Sequence, residues 1–409
     1  MLPGVHFLSK GTLLPVLIGV CAIGLSAQVN SEQLHKLLTT EAAFEPDDLA
    51  ALKNGETVIK ILPLRDKRQV AMCGVVRVRA ARKISMAAFR ESLTQKDNRS
   101  RLSGGEFHIP PEIADLQSLK LRDEDIEDLK KCEVGRCDLK LSAGLIKQIR
   151  TQVDWDSPDH AEQAERLYKQ ALVDYVGDYL KSGDPALMRY DSRKVAVALA
   201  DEYRNALDNS LFINEFAPEF VRYLRDFPLS GLPAVENNIS WSNVTFGLDP
   251  VIAITHAINY SRINSENSFH LVGAKQIYSS RYLDSSLAFT MLVETPAAGG
   301  DETYLIFTDL SRSNVLDGPF SGIKRGLVEK EATERVGDVL ARAKMRLEAN
   351  TTNQTAPRRF ESEETGLAAR VWMLGQHRIV RLFLLFLLGG IAFALYREWK
   401  NANAAGGNP

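Results

Sequence analysis

The sequence predicts an α+β protein in which a curved antiparallel sheet packs against one long helix near the C-terminus. Two runs between residues 56 and 80 alternate apolar and polar positions with period two, as strands do. Five more alternating runs follow residue 233 and are separated by turns rich in Asn, Gly and Ser. A helical pattern then extends from residue 322 to residue 349.

Residues 56–104 hold the first two predicted strands and a helix. The runs ETVIKILPL and RQVAMCGVVRVRA have strand alternation, and Met72, Gly74 and Val76 of the second run share one face. We expect this face to be buried. Ser85 is a suitable N-cap for the helix ISMAAFRESL that follows.

Residues 105–232 are predicted to be a mainly helical insertion. One helix opens at Pro158 and ends at Gly183, with a stripe of tyrosines that we expect to pack against the rest of the domain. Further helices are expected near residues 193–207 and 216–224. The acidic run at 122–128 fits a helix start, where carboxylates complement the helix dipole, better than a metal site.

Residues 233–350 complete the predicted domain with the five strands and the closing helix. At a rise of 1.5 Å per residue that helix would be about 40 Å long, enough to cross a whole sheet.

The order of these elements resembles the START-like (SRPBCC) helix-grip superfamily. The segments that carry the resemblance are VAMCGVVRVRAARKISMAAFRESL and residues 240–349. The resemblance implies a sheet that grips the C-terminal helix, and a deep apolar cavity between the two for a lipid, a sterol or another hydrophobic molecule. The helical insertion is larger than the fold usually carries. The segments FHIPPEIADLQSLKLRDEDIEDLKKCEVGRCDLKL and GAKQIYSSRYLDSSL resemble parts of uncharacterised exported bacterial proteins, which implies no activity.

The N-terminus is predicted to be a secretory signal peptide, residues 1–27. Lys10 precedes an apolar run that ends at Leu25, and the small residues Ser26 and Ala27 follow. An uncleaved membrane anchor is the alternative. Residues 28–55 are predicted to be a polar lead-in with one short helix.

The C-terminus is predicted to cross a membrane at residues 379–397. The run LFLLFLLGGIAFALY is uncharged, with basic residues on both sides, although it is short for a bilayer span. A buried core helix is the alternative. Residues 351–378 would then be a linker and juxtamembrane segment, and residues 398–409 a cytoplasmic tail. Together with the signal peptide, this predicts a single-pass protein of the inner membrane whose main domain lies in the periplasm.

Composition and motifs exclude several classes of function. The net charge of −2 offers no basic excess for binding nucleic acid. The sequence contains no GxSxG, P-loop, HExxH or Rossmann motif, and it predicts no cofactor, no metal site and no catalytic residue. The run CEVGRC predicts a disulfide between Cys132 and Cys137, which an exported protein can form.

Four residues on or beside the predicted strands are candidate ligand-binding residues: His256, Tyr260, Tyr278 and Tyr282. His256 shares a strand face with apolar residues, which fits a hydrogen-bonded core histidine or, alternatively, a general base in a pocket. Alternation places Lys275 on the strand face opposite Tyr278, unless a bulge intervenes at Ser279 and Ser280. We expect these two serines to bend the strand, and Lys275 and Arg281 to meet water or headgroups.

The leading hypothesis is therefore a membrane-tethered extracytoplasmic protein that binds a lipid-like or other hydrophobic small molecule. An envelope scaffold without a ligand, whose helical insertion docks a partner protein, is the alternative. An envelope enzyme that uses His256 and Tyr278 on a hydrophobic substrate is a third hypothesis.

Overall fold

The computed structural model describes residues 31–80, 83–93, 101–244, 249–263, 268–295, 302–318 and 320–353. The predicted signal peptide (1–27) and the predicted transmembrane helix (379–397) lie outside these ranges. Among the helices inside them, none combines the length and the apolar character that a bilayer span requires.

The fold is α+β and is built on one large sheet, as the sequence predicts. Eight strands pair in the order β1-β2-β10-β9-β8-β7-β6-β3, and every pair is antiparallel. The strands are β1 (Val58–Leu62), β2 (Gln69–Val78), β3 (Arg101–Glu106), β6 (Val235–Val244), β7 (Val251–Ile263), β8 (Ser268–Ser279), β9 (Leu283–Thr295) and β10 (Glu302–Ser313). A separate short pair is formed by β4 (Arg189–Tyr190) and β5 (Val197–Ala198).

The helices fall into groups by their position along the chain. Two precede the sheet, where the sequence predicted only one short helix, and one follows β2: α1 (Ser31–Thr40), α2 (Pro46–Asn54) and α3 (Met86–Leu93). The insertion between β3 and β6 contains α4 (Asp123–Lys131), α5 (Ala143–Gln152), α6 (His160–Ser182), α7 (Leu199–Asp208), α8 (Leu211–Phe216) and α9 (Pro218–Asp226). The closing helix is α10 (Ser321–Asn353).

Helix α10 packs on one face of the sheet, together with α3. Gly74 of β2 allows the close approach, because a Cβ atom there would lie 2.7 Å from Cδ1 of Leu340. Val336, Leu340 and Leu347 of α10 join the buried apolar cluster on this face. The predicted burial of the face that carries Met72, Gly74 and Val76 is confirmed.

The helical insertion packs on the opposite face. Phe220 of α9 stacks on Tyr260 of β7 and meets Phe289 of β9 edge to face. Tyr168 and Tyr179 of α6 are fully buried against β7 and β8. The sheet is therefore covered on both faces, which explains why β7 and β9 have buried residues on both sides.

One edge of the sheet was not predicted. β3 has the sequence RLSGGE, which lacks apolar alternation, yet it pairs with β6. Its Gly105 lies under the indole of Trp241, where a Cβ atom would be 2.5 Å from Nε1. The indole N–H donates to the carbonyl oxygen of Asp115 at 2.9 Å. Glycine is needed there for a tertiary contact that strand periodicity does not encode.

Candidate functional site

A β-bulge in β8 changes which candidate residues share a face. His256 of β7 is paired with Lys275 of β8, and Ile254 is paired with Tyr278. Two steps along β7 therefore correspond to three steps along β8, and Ile277 is the extra residue. Lys275 and Tyr278 consequently lie on the same face as His256. The prediction that they lie on opposite faces was wrong because strict alternation fails at the bulge.

Three tyrosines from the insertion bond the backbone groups around this bulge. Tyr175 Oη donates to the carbonyl oxygen of Ile277 at 2.5 Å, and Tyr203 Oη donates to that of Gln276. Tyr190 Oη accepts the N–H of Ser279 at 2.9 Å. A bulge interrupts the strand ladder, and buried backbone groups left without partners cost free energy. The phenol groups supply partners that the neighbouring strand does not.

His256 is fully buried, and both of its ring nitrogens have partners. Nδ1 lies 2.9 Å from the hydroxyl of Tyr179, and Nε2 lies 2.8 Å from Oδ1 of Asn237. An amide oxygen can only accept, so Nε2 carries the proton and Nδ1 accepts from the phenol. Burial, assisted by the nearby charge of Lys275, lowers the pKa of His256 to about 3. The imidazole is neutral in the folded protein and occupies the core role that the sequence favoured.

We expect His256 to make the protein less stable in mild acid. Its folded-state pKa lies below the unfolded value of about 6.5, so its contribution is complete above pH 6.5 and is lost as the pH falls towards 3. The loss between pH 6.5 and pH 4 should be about 3 kcal/mol. The free energy of unfolding of His256→Gln, measured with urea, should not show this decrease between pH 6.5 and pH 4. The exposed His35, changed to Gln, is the control and should leave the slope unchanged. Equal slopes for all three proteins would contradict the expectation.

The three candidate tyrosines contact different parts of the structure. The hydroxyl of Tyr278 lies 2.7 Å from that of Tyr168 in the insertion. Tyr260 donates to Glu219 at 2.8 Å, also in the insertion. Tyr282 has a positive φ of 58° and packs into the small apolar cluster at the start of α10. Two of the three, like His256, thus lie on the face opposite α10 and do not line a space between the sheet and α10.

Two basic residues that we expected to meet water are buried instead. Lys275 is 1% exposed, binds Asp184, and lies 4.8 Å from the ring centre of Tyr203. Arg281 is 5% exposed and binds Asp125 at 2.8 Å. The insertion covers both residues, so that expectation was wrong. Burial lowers the pKa of Lys275, and the Asp184 carboxylate opposes this shift.

The face that packs on α10 carries a different set of side chains. At one level of the sheet, each of five adjacent strands contributes a buried polar residue, a set that we call the polar row: Ser240, Thr255, Gln276, Ser286 and Ser311. Ser240 is paired with Thr255, and Thr255 with Gln276. Ser286 is paired with Ser311. This row was not predicted from the sequence, because its members are spread over five strands.

Gln276 is the least satisfied residue of the polar row. It is 1% exposed, and neither Nε2 nor Oε1 has a hydrogen-bond partner among the described residues. Ala257, Ala274 and Ala288 are paired in the next row of the same face, so the side chains on that side of Gln276 are small. Leaving a buried amide without partners costs about 1–3 kcal/mol per group.

Asp309 adjoins the polar row on the same face of β10. Its carboxyl oxygens accept from Ser286 Oγ at 3.2 Å and from Ser311 Oγ at 2.8 Å. Burial raises the pKa of Asp309 to about 8, and the two hydroxyl bonds only partly offset this effect. The carboxyl group is therefore mainly protonated and uncharged at neutral pH.

Two further features lie on the insertion. The sulfur atoms of Cys132 and Cys137 are at disulfide distance and close the turn after α4. His108, Glu112 and Asp115 hold possible metal-ligand atoms within 4.8 Å of one another. The Asp115 carboxylate accepts the backbone N–H groups of His108 at 3.1 Å and Glu112 at 2.9 Å, so capping this turn accounts for its position.

No family model, curated protein or solved structure matches this chain significantly. The polar row and the tyrosines at the bulge therefore have to be interpreted from their own chemistry.

Proposed function

We propose that the protein binds a lipid-like small molecule between the sheet and α10, as a helix-grip domain would. The observation that carries the proposal is Gln276, a buried amide that lies beside small side chains and has no hydrogen-bond partner within the described ranges of the chain. A folded protein rarely leaves such a group unsatisfied, and a bound molecule would supply the missing hydrogen bonds. The order of the elements, with α10 packed across Gly74, supports the resemblance to the START-like superfamily.

The proposal also includes a membrane tether. The apolar run at residues 382–396 would hold the domain beside a bilayer, and the signal-like N-terminus would place it outside the cytoplasm. A tethered domain would exchange a hydrophobic molecule with its own membrane without a long path through water. The insertion would act as a rigid cover on the opposite face of the sheet.

Extraction of the purified protein tests the binding proposal. We expect the full chain, purified from membranes, to carry a lipid-like molecule in near-stoichiometric amount, detected by mass spectrometry of organic extracts. Ala257→Leu would fill space beside the polar row and should displace this molecule.

The matched control is Ala114→Leu, because Ala114 is exposed on a turn of the insertion. It should carry the same molecule as the wild type. If the wild type and Ala257→Leu have the same lipid profile, or if neither carries a molecule above the membrane background, the proposed function is wrong.

A further inference from the structure

The polar row has a composition that an apolar ligand would not require. In a site for a hydrocarbon chain alone, a buried amide makes no hydrogen bond to the ligand, and removing it from water costs free energy. Here Gln276, Thr255 and Ser240 lie side by side on neighbouring strands and are each at most 3% exposed. Asn259, on the same face of β7, also has an Oδ1 atom without a partner in the described part of the chain.

The Gln276 amide defines which group it can pair with. Nε2 donates and Oε1 accepts, and the two atoms lie side by side in one plane. A primary carboxamide or an un-ionised carboxylic acid presents the reverse pair and can form two parallel hydrogen bonds with it. An ammonium group can only donate and a sulfate or carboxylate can only accept, so each leaves one amide atom unsatisfied.

The surroundings of Gln276 also disfavour a charged group. Its neighbours in the polar row have hydroxyl groups. The cation nearest in sequence, Lys275, points to the opposite face, where it binds Asp184. A buried ion without a counter-charge costs several kcal/mol, which an uncharged head group avoids.

We propose that the polar row is a head-group site for an uncharged group that donates and accepts side by side, such as the carboxamide of a fatty amide. This inference rests on the proposed function, because it assumes that a ligand occupies the space beside α10. Gln276 pairs with the head group, and the row of alanines on one side of it leaves room for the start of the chain.

Equilibrium binding of a matched series of C12 compounds tests the head-group site. The full chain in phosphatidylcholine nanodiscs is titrated with radiolabelled dodecanamide, dodecylammonium or dodecyl sulfate, and binding to empty nanodiscs is subtracted. One additional hydrogen bond at about 1 kcal/mol, together with the cost of burying an ion without a counter-charge, predicts that dodecanamide binds at least about tenfold more tightly than either ion.

Gln276→Met keeps the length of the side chain but removes both polar atoms. It should lose at least about tenfold in affinity for dodecanamide, which loses two hydrogen bonds, and less for the ions, which lose one each. The matched control is Gln148→Met on the exposed side of α5, which should leave all affinities unchanged. The melting temperature of Gln276→Met without ligand should not fall below that of the wild type, because the unsatisfied amide is removed. An unchanged melting temperature would show that weaker binding is not caused by unfolding.

The outcomes separate the two proposals. Dodecanamide selectivity that Gln276→Met reduces supports the head-group site. Equal binding of all three compounds, or selectivity that Gln276→Met leaves unchanged, overturns the head-group site but leaves lipid binding standing. No binding above empty nanodiscs, together with purified protein free of lipid, overturns both.

Discussion

Asp284→Asn is expected to lower the free energy of unfolding by about 3–5 kcal/mol. The Asp284 carboxylate binds the ammonium group of Lys140, and the two side chains are 6% and 5% exposed. Burial lowers the pKa of Lys140, and the charge of Asp284 opposes this shift. Removing the carboxylate leaves a buried cation without its partner, and the free-energy cost is then large. Urea unfolding followed by circular dichroism would measure the change.

Two controls test the cause of this loss. Asp201→Asn breaks the Asp201–Arg204 ion pair on α7, whose side chains are 63% and 66% exposed, and should cost at most about 1 kcal/mol. The double variant Lys140→Met with Asp284→Leu removes both buried charges and should recover most of the stability. If Asp284→Asn is as stable as Asp201→Asn, the ion pair between Lys140 of the insertion and Asp284 of the sheet does not stabilise the fold.

Much of the sheet could be predicted because its strands follow local rules. The strands β6 to β10 were identified from alternation and turn residues, and α6 from its flanking Pro158 and Gly183. The N-cap of α3 was also correct, since Ser85 Oγ accepts the N–H of Ala88 at 3.2 Å. These features depend on residues that are neighbours in sequence.

The features that the sequence did not reveal depend on distant contacts. β3 is a strand because β6 pairs with it and Trp241 packs over Gly105. Helix α7 begins at Leu199, later than expected, because residues 197–198 pair with β4 instead. The sequence could indicate which residues are apolar, but it could not indicate that a helix from the insertion would cover Lys275.

In the candidate site, too, the arrangement of residues depends on contacts between distant parts of the chain and could not be predicted from the sequence. A single extra residue, Ile277, reverses the face of every side chain that follows it in β8. The sequence near Ser279 suggested a bend but did not fix its position. The polar row was equally invisible, because Thr255 and Gln276 become neighbours only when β7 and β8 pair.

The protein should lose stability between pH 4 and pH 8 because of Asp309. Its folded-state pKa of about 8 lies above the unfolded value of about 3.9, so the folded protein holds a proton that the unfolded chain releases. The contribution of Asp309 is complete below pH 4 and is lost as the pH rises to 8. The total loss is about 5 kcal/mol. The change in the free energy of unfolding with pH due to Asp309 is opposite in sign to the change due to His256, and it extends to higher pH.

Asp309→Asn should remove this loss, because the amide is uncharged at every pH and has the same shape as the acid. Urea unfolding should show the variant gaining stability over the wild type progressively from pH 5 to pH 8. Asp174→Asn, at an exposed position of α6, is the control and should show no such trend. A constant difference between Asp309→Asn and the wild type across this range would mean that Asp309 is ionised in the fold. The polar row would then lie beside a buried charge, and an uncharged head group would no longer be the one that fits it best.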